Sequence, residues 1–490
     1  MKHLVTIIIL TFTLNSFGQQ FQFDKAKISN LTKLIVAKIA KENMLMGSAV
    51  GNGGVRPKQF DNFTDLQTTA TRIELQELTN HPNGVVRCYS FWALTYDTSI
   101  NLLPIILKHI SDNENVSTMF GCIISGENVG DFFINLVTPN YVDINSKKLD
   151  SSQFAIIDSV LIYTANNLYA KQKAISRAKL TETFYIRARD LVIKYENQEA
   201  LVTLAKYQKE QDIPLILKNK IGNKTDDGYF FTYRAISEFP HPDFFPLLEK
   251  NLKQTFNDDH YSTEWRELYK AIASYKNNKA VELLTIPFTQ VKHENIREYH
   301  IDFVFGALQK FQAPLYDDLL WNMWANEKKI SPEVFKYLSI KNPQRALTLT
   351  KQTLQSPEDF DFNNDMNDYE NMGSSENLLE TMFKLTLNQD KAFAIKVINR
   401  NLLNEDISTF QFFAVKAAQI KDTSFVGQLF KRLEKDDNPH IYLRAAEALI
   451  EFTSNDINKR IAETKKINSN LTKGWGGEEF DKLLKDKNIK

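Results

Sequence analysis

Residues 356–373 read SPEDFDFNNDMNDYENMG, the densest run of oxygen ligands in the chain. Counted from Asp359, the run sets Asp359, Asp361, Asn363, Asp365, Asn367 and Glu370 at positions 1, 3, 5, 7, 9 and 12 of an EF-hand loop, with Met366 at the apolar position 8. Hard oxygen donors at alternate positions converge when the chain curls around a cation, and calcium is the ion such a set takes. Position 6 is Asn364 in place of glycine, so the sharp turn asks an asparagine to adopt the left-handed conformation. Gly373 and Ser374 then interrupt the helix that should follow Glu370. Two readings stay open: a calcium loop, or a solvated acidic insertion over 356–376 between helical hairpins.

The other chemically suggestive residues are scattered. His81, His241 and His440 each adjoin a proline at a turn, where solvated histidines filling one structural slot are expected. His293 and His300 share a helix face, but no carboxylate completes an H-E-x-x-H pattern. Cys88 and Cys122 fall on what read as the first helices of adjacent hairpins. A disulfide between them is one reading. Two free thiols are the other, because packed helix axes stand about 8–10 Å apart, beyond the favoured Cα separation of a bridge. In GSAVGNGGVR, 47–56, a phosphate cradle would need glycine at position 56, which is Arg56, and no Gly-Lys-Ser/Thr follows, so a flexible loop is expected. No G-x-S-x-G, C-x-x-C or H-E-x-x-H occurs, and the sequence nominates no catalytic or cofactor-binding residue.

The elements that must position these groups read as helical hairpins written repeatedly. VVRCYSFWALTYDTSINLLPIILKHI, 85–110, gives an apolar-faced helix, a polar break at Asp97–Ser99 and a second helix. VSTMFGCIISGENVGDFFINLV, 116–137, reads the same way with its break at Gly126–Asn128. Further breaks fall at Pro240–Asp243, Lys276–Lys279, Lys421–Thr423 and Thr453–Asp456. One such hairpin cannot bury its apolar stripe alone, so neighbours must stack on a shared core.

HPNGVVRCYSFWAL at 81–94 and NPHIYLRAAEAL at 438–449 carry a family resemblance. A polar turn with proline, an aliphatic residue before arginine, small residues ending in Ala-Leu and an aliphatic second helix resemble HEAT repeats, of the armadillo-type helical-repeat proteins. The resemblance covers about half of the chain. It implies an all-α fold, an α-solenoid of stacked antiparallel helical hairpins, over residues 19–490 as a single array. It also implies that Arg87 and Arg444 pack along the stack and that second helices line a concave face, offering Lys108, Lys250, Lys253, Lys431 and Arg432 to a protein partner. An extended binding or scaffolding surface is the function this implies. The alternative is an envelope-associated hydrolase whose acidic and aromatic residues converge only in the fold.

Composition agrees with helix. Gly 17 and Pro 14 in 490 residues are too few for the turns of many short strands. Lys+Arg and Asp+Glu are both 60, so no global field selects nucleic acid or anionic lipid. The opening MKHLVTIIILTFTLNSFGQQ has a basic start, an apolar run at Leu4–Leu14 and a small-x-small site at Ser16–Gly18, the pattern of a secretory signal cleaved after residue 18. Its run is shorter than the about 20 residues of a spanning helix. Export to a periplasm or the cell exterior is expected, without a membrane span.

Overall fold

The computed structural model describes residues 21–139, 143–219, 228–291, 293–360 and 378–489. The expected signal segment lies outside them, as do Asp361, Asn363, Asp365, Asn367 and Glu370 of the expected calcium loop. The chain divides into two compact units, Met1–Asn219 and Lys220–Lys490, and the described residues of both are mostly helical.

The first unit contains α1 (Asn30–Glu42), β1 (Leu45–Val50), α2 (Lys58–Thr69), α3 (Arg72–Leu78), α4 (Gly84–Thr95), α5 (Leu103–Lys108), β2 (Asn115–Gly121), β3 (Ile123–Asn128), α6 (Val129–Val137), α7 (Ser151–Tyr163), α8 (Ala170–Ser176), α9 (Glu182–Tyr195), α10 (Gln198–Ala205) and α11 (Ile213–Lys218). Its hub is α4. The Asn83 side chain accepts from the Val86 amide to start the helix, and every residue from Gly84 to Thr95 is buried. A helix apolar on all sides must be surrounded. Here α1, α2, α3, α6 and the strands β1 and β2 pack around it. Phe91 stacks on Phe133 with centroids 4.0 Å apart, and Trp92 contacts the rings of Phe60, Phe63, Phe120 and Phe132.

The helical reading of 116–125 is corrected by the structure. These residues form β2 and β3, an antiparallel pair with Thr118 opposite Ser125, and β1 runs parallel to β2 with Leu45 opposite Thr118. The physical reason is a period of two: Val116 and Thr118 are buried while Asn115 and Ser117 face solvent, and the β-branched and aromatic residues suit a pleated surface. Gly121, at φ +57, makes the turn. GSAVGNGGVR is corrected in the same way. Its first residues belong to β1, and the Gly51 amide donates to the Gly121 carbonyl at 2.9 Å. Gly47 faces the Phe120 ring, which a Cβ would meet at 2.9 Å, so the close approach excludes a larger residue. No bridge joins Cys88 and Cys122, because Cys88 is sealed within α4 whereas Cys122 lies exposed at the hairpin turn.

The second unit contains α12 (Phe230–Glu238), α13 (Phe245–Thr255), α14 (Glu264–Ala273), α15 (Asn278–Thr285), α16 (Pro287–Gln290), α17 (Glu294–Lys310), α18 (Asp317–Ala325), α19 (Pro332–Lys341), α20 (Pro343–Thr353), α21 (Leu378–Gln389), α22 (Lys391–Asn401), α23 (Ile407–Ile420), α24 (Val426–Lys435), α25 (Pro439–Ile450), α26 (Asn455–Glu463) and α27 (Gly474–Asp486). Four expected breaks are helix connections. Pro242 opens a 3-10 turn, Asn277 caps α15 by accepting from Ala280, Lys421 ends α23 in the left-handed region, and Ser454 caps α26. Helices two or three apart in order contact each other: α12 packs on α14, α14 on α17, α23 on α25, and α25 on α27.

The two thiols should differ in reactivity. Burial pushes the Cys88 thiol well above its ordinary pKa, and it is sealed from solvent. An aromatic disulfide reagent should titrate Cys122 alone in the native protein and Cys88 only in denaturant. Rapid native reaction of both would contradict the packing of α4.

Candidate functional site

Arg87 is the most heavily bonded charge in the first unit. Its Nε and Nη2 donate to the two Asp112 oxygens at 2.9 and 3.0 Å, Nη2 also donates to Glu114 at 2.5 Å, and Nη1 donates to the His81 carbonyl at 2.7 Å. His109 Nδ1 lies 3.0 Å from Asp112, and Phe21 stacks on the imidazole at 4.1 Å with the Arg87 guanidinium over its ring. Burial holds both His81 and His109 below their ordinary pKa. The side chains of Arg87 and Asp112 are each 3% exposed. Such a cluster leaves no face for a substrate; it clasps the start of α4 to the segment entering β2.

His300, on α17, is the second buried polar centre. Tyr269 on α14 is hydrogen bonded to its Nδ1 at 2.7 Å, and Trp265 stacks on the ring at 4.6 Å. Burial lowers its pKa to about 4. A tyrosine–histidine pair open to a cleft could move a proton, but both side chains here are wholly buried among apolar neighbours. The sequence put His293 and His300 on one face. The structure separates them, with His293 exposed at the N-terminus of α17 and His300 in the core.

Each turn histidine makes its contacts within its own unit. His81 Nδ1 accepts from the Asn83 amide at 3.0 Å, His241 Nδ1 from the Asp243 amide at 3.3 Å, and His440 lies against Trp475. Among the described residues no group of three or more His, Cys, Asp or Glu side chains could hold a metal ion. Asp359 borders a cavity of about 150 Å³ beside Trp324, Lys328 and Thr353.

Of the expected partner residues, Lys108, Lys250, Lys253 and Lys431 are exposed on α5, α13 and α24. Lys253 pairs with Glu249 at 2.8 Å. Arg432 is corrected: it is 9% exposed, its Nε stands 2.8 Å from an Asp436 carboxylate oxygen as an ion pair, and its guanidinium lies over Phe410 at 4.9 Å. Its stem and head are spent inside the unit.

A groove of about 600 Å³ runs between α23, α25 and α27. Ala414, Val415 and Ala418 on α23, Ala448 and Ile450 on α25, and Leu483 on α27 line it, with Lys421, Arg444, Glu447, Glu451 and Lys487 also around it. Alanines leave the space, and Gly476 sets the third wall. A Cβ at Gly476 would run into the Tyr442 hydroxyl and stand 2.7 Å from Pro439, so only glycine lets α27 settle on α25. Sequence reasoning saw the small residues of RAAEAL as a repeat signature; it missed that this helix and two others would enclose an opening. No protein-family model matches the chain, and no curated protein matches it.

Two outcomes follow from the buried centres. Arg87→Met should lower unfolding stability by about 3–5 kcal/mol because Asp112 is left charged and buried, whereas Arg444→Met, on a half-exposed side chain, should change it by less than about 0.5 kcal/mol; urea denaturation followed by circular dichroism decides. His300 is neutral in the fold with a pKa below that of the unfolded chain. Its contribution is therefore complete above about pH 6.5 and lost as pH falls toward about 4, by up to about 3 kcal/mol. The stability of His300→Gln should depend less steeply on pH across that window, and equal slopes for both proteins would remove His300 as the cause.

Proposed function

We propose that this chain is an exported helical-repeat binding protein that takes up a protein partner in the groove between α23, α25 and α27. The observation that carries the reading is the groove itself: an opening of about 600 Å³ with an apolar floor and half-exposed charges around it. Ligand sites combine these features, the floor giving affinity and the polar groups fixing register. The alternation of helix contacts, α12 on α14 and α23 on α25, supports a HEAT-like stacking of hairpins in this unit. Export is supported by Lys2, the apolar run Leu4–Leu14 and the small residues Ser16 and Gly18. No described helix is long and apolar enough to cross a membrane.

The test fills the groove. The chain from Gln19 to Lys490 is used as bait in native envelope extract, beside Ala418→Trp, whose indole would occupy the floor, and a Lys250→Glu, Lys253→Glu variant on α13. A partner retained by the parent and by the α13 variant, and reduced at least tenfold by Ala418→Trp at unchanged melting temperature, is the expected result. A partner held equally by Ala418→Trp would overturn the groove as its site.

A further inference from the structure

Among the residues that line the groove, three cations, Lys421, Arg444 and Lys487, face two carboxylates, Glu447 and Glu451. Arg444 has its partner, Glu447, at 2.7 Å. Glu451 stands between the two lysines, its Oε2 at 3.8 Å from Lys421 Nζ and its Oε1 at 3.8 Å from Lys487 Nζ. Neither distance is the roughly 2.7–2.9 Å of a charge-assisted hydrogen bond, and one carboxylate cannot neutralise two ammonium groups. Lys421 follows the last turn of α23 and Lys487 that of α27, so the two helices bring their ammonium groups to the same carboxylate. All three side chains are 45–49% exposed and free to turn toward a ligand.

Resting on the binding reading above, we propose that the groove takes a peptide segment with an apolar side chain on the alanine floor and a carboxylate entering between Lys421 and Lys487. The complementarity is specific. A bound carboxylate would restore one anion for each cation, and the neighbouring floor formed by Ala418, Ile450 and Leu483 would accept an aliphatic residue beside it. An aspartate or glutamate side chain and a free chain terminus offer the same group, and the experiment separates them. A basic segment would meet two ammonium groups and is excluded by like-charge repulsion.

The probe is a library of random dodecapeptides with free C-termini, selected on the full chain and counter-selected on Ala418→Trp. Selected peptides should carry a carboxylate next to an aliphatic residue. Affinity should fall about tenfold or more on Lys421→Glu, Lys487→Glu, the loss of two attractive contacts and their replacement by repulsion. Reselection on that double variant should return lysine or arginine in the same place, an exchange that a damaged fold could not produce. Synthesising each selected peptide as acid and as amide tells a terminal from a side-chain carboxylate. Peptides that need the open groove yet ignore the charge reversal would overturn this inference and leave the groove as a docking site. A library yielding no peptide sensitive to Ala418→Trp would overturn both.

Discussion

The first unit depends on pairing one buried guanidinium. Helix α4 is buried at every position, and Arg87 is the one ionic group along it. Left alone in that core, the charge would cost several kcal/mol of desolvation. Asp112 and Glu114 supply the counter-charges, and both stand in the segment entering β2. Glu114 also accepts from the Gly84 amide at 2.8 Å, so one carboxylate holds the guanidinium and the first residue of α4 together. The sheet is thereby fixed against the hub helix. Phe120 of β2 reaches Trp92, and Tyr89 both donates to and accepts from the backbone of Met46 in β1. A hairpin of strands among helices is held where the ion pair requires it.

The second unit also joins its helices through neutral groups. Tyr233 accepts from Asn251 at 2.7 Å, Tyr316 donates to the Ala273 carbonyl at 2.7 Å, and Trp324 donates to Thr353 at 2.9 Å. Each joins one helix to another through a single hydrogen bond that satisfies a polar tip on a large apolar body. Such bonds avoid the desolvation of a charge and constrain position less strongly than the hydrogen bonds of Arg87 to Asp112, Glu114 and the carbonyls of His81 and Pro82.

What could be read from sequence follows this division. The breaks at Pro240–Asp243, Lys421–Thr423 and Thr453–Asp456 were legible because turn and capping residues act locally: the side chains of His241, Asp422 and Ser454 each accept from a backbone amide within three residues. The strands were not. A run as short as VSTMF shows its period of two over too few residues to exclude a helix, and what settles it is pairing, with Ser125 across a tight turn and with Leu45 far from it in the chain. Arg432 read as a charge offered to a partner for the same reason, since Phe410, which its guanidinium covers, is brought to it only by the fold, whereas Asp436 at i+4 is a local neighbour. The groove is the least local feature of all. It needs small residues on α23 and α25 and a glycine on α27 to be placed together, and no single stretch records that coincidence.

Burial also decides which charges can recognise anything. Exchanging the partners of Arg87 would expose a 3% accessible ion pair, at a cost of about 3–5 kcal/mol. Around the groove, Arg444 and Glu447 are 40% and 45% exposed, and a half-solvated pair is worth about 0–1 kcal/mol. A ligand can displace such a contact and replace it with its own at almost no net loss. The same residue types therefore serve opposite ends: sealed, they fix one arrangement of helices, and half-exposed over an apolar floor, they remain available to a second molecule. In the proposed complex, affinity would come from the alanine, isoleucine and leucine surface, and the lysines would choose among the segments covering it.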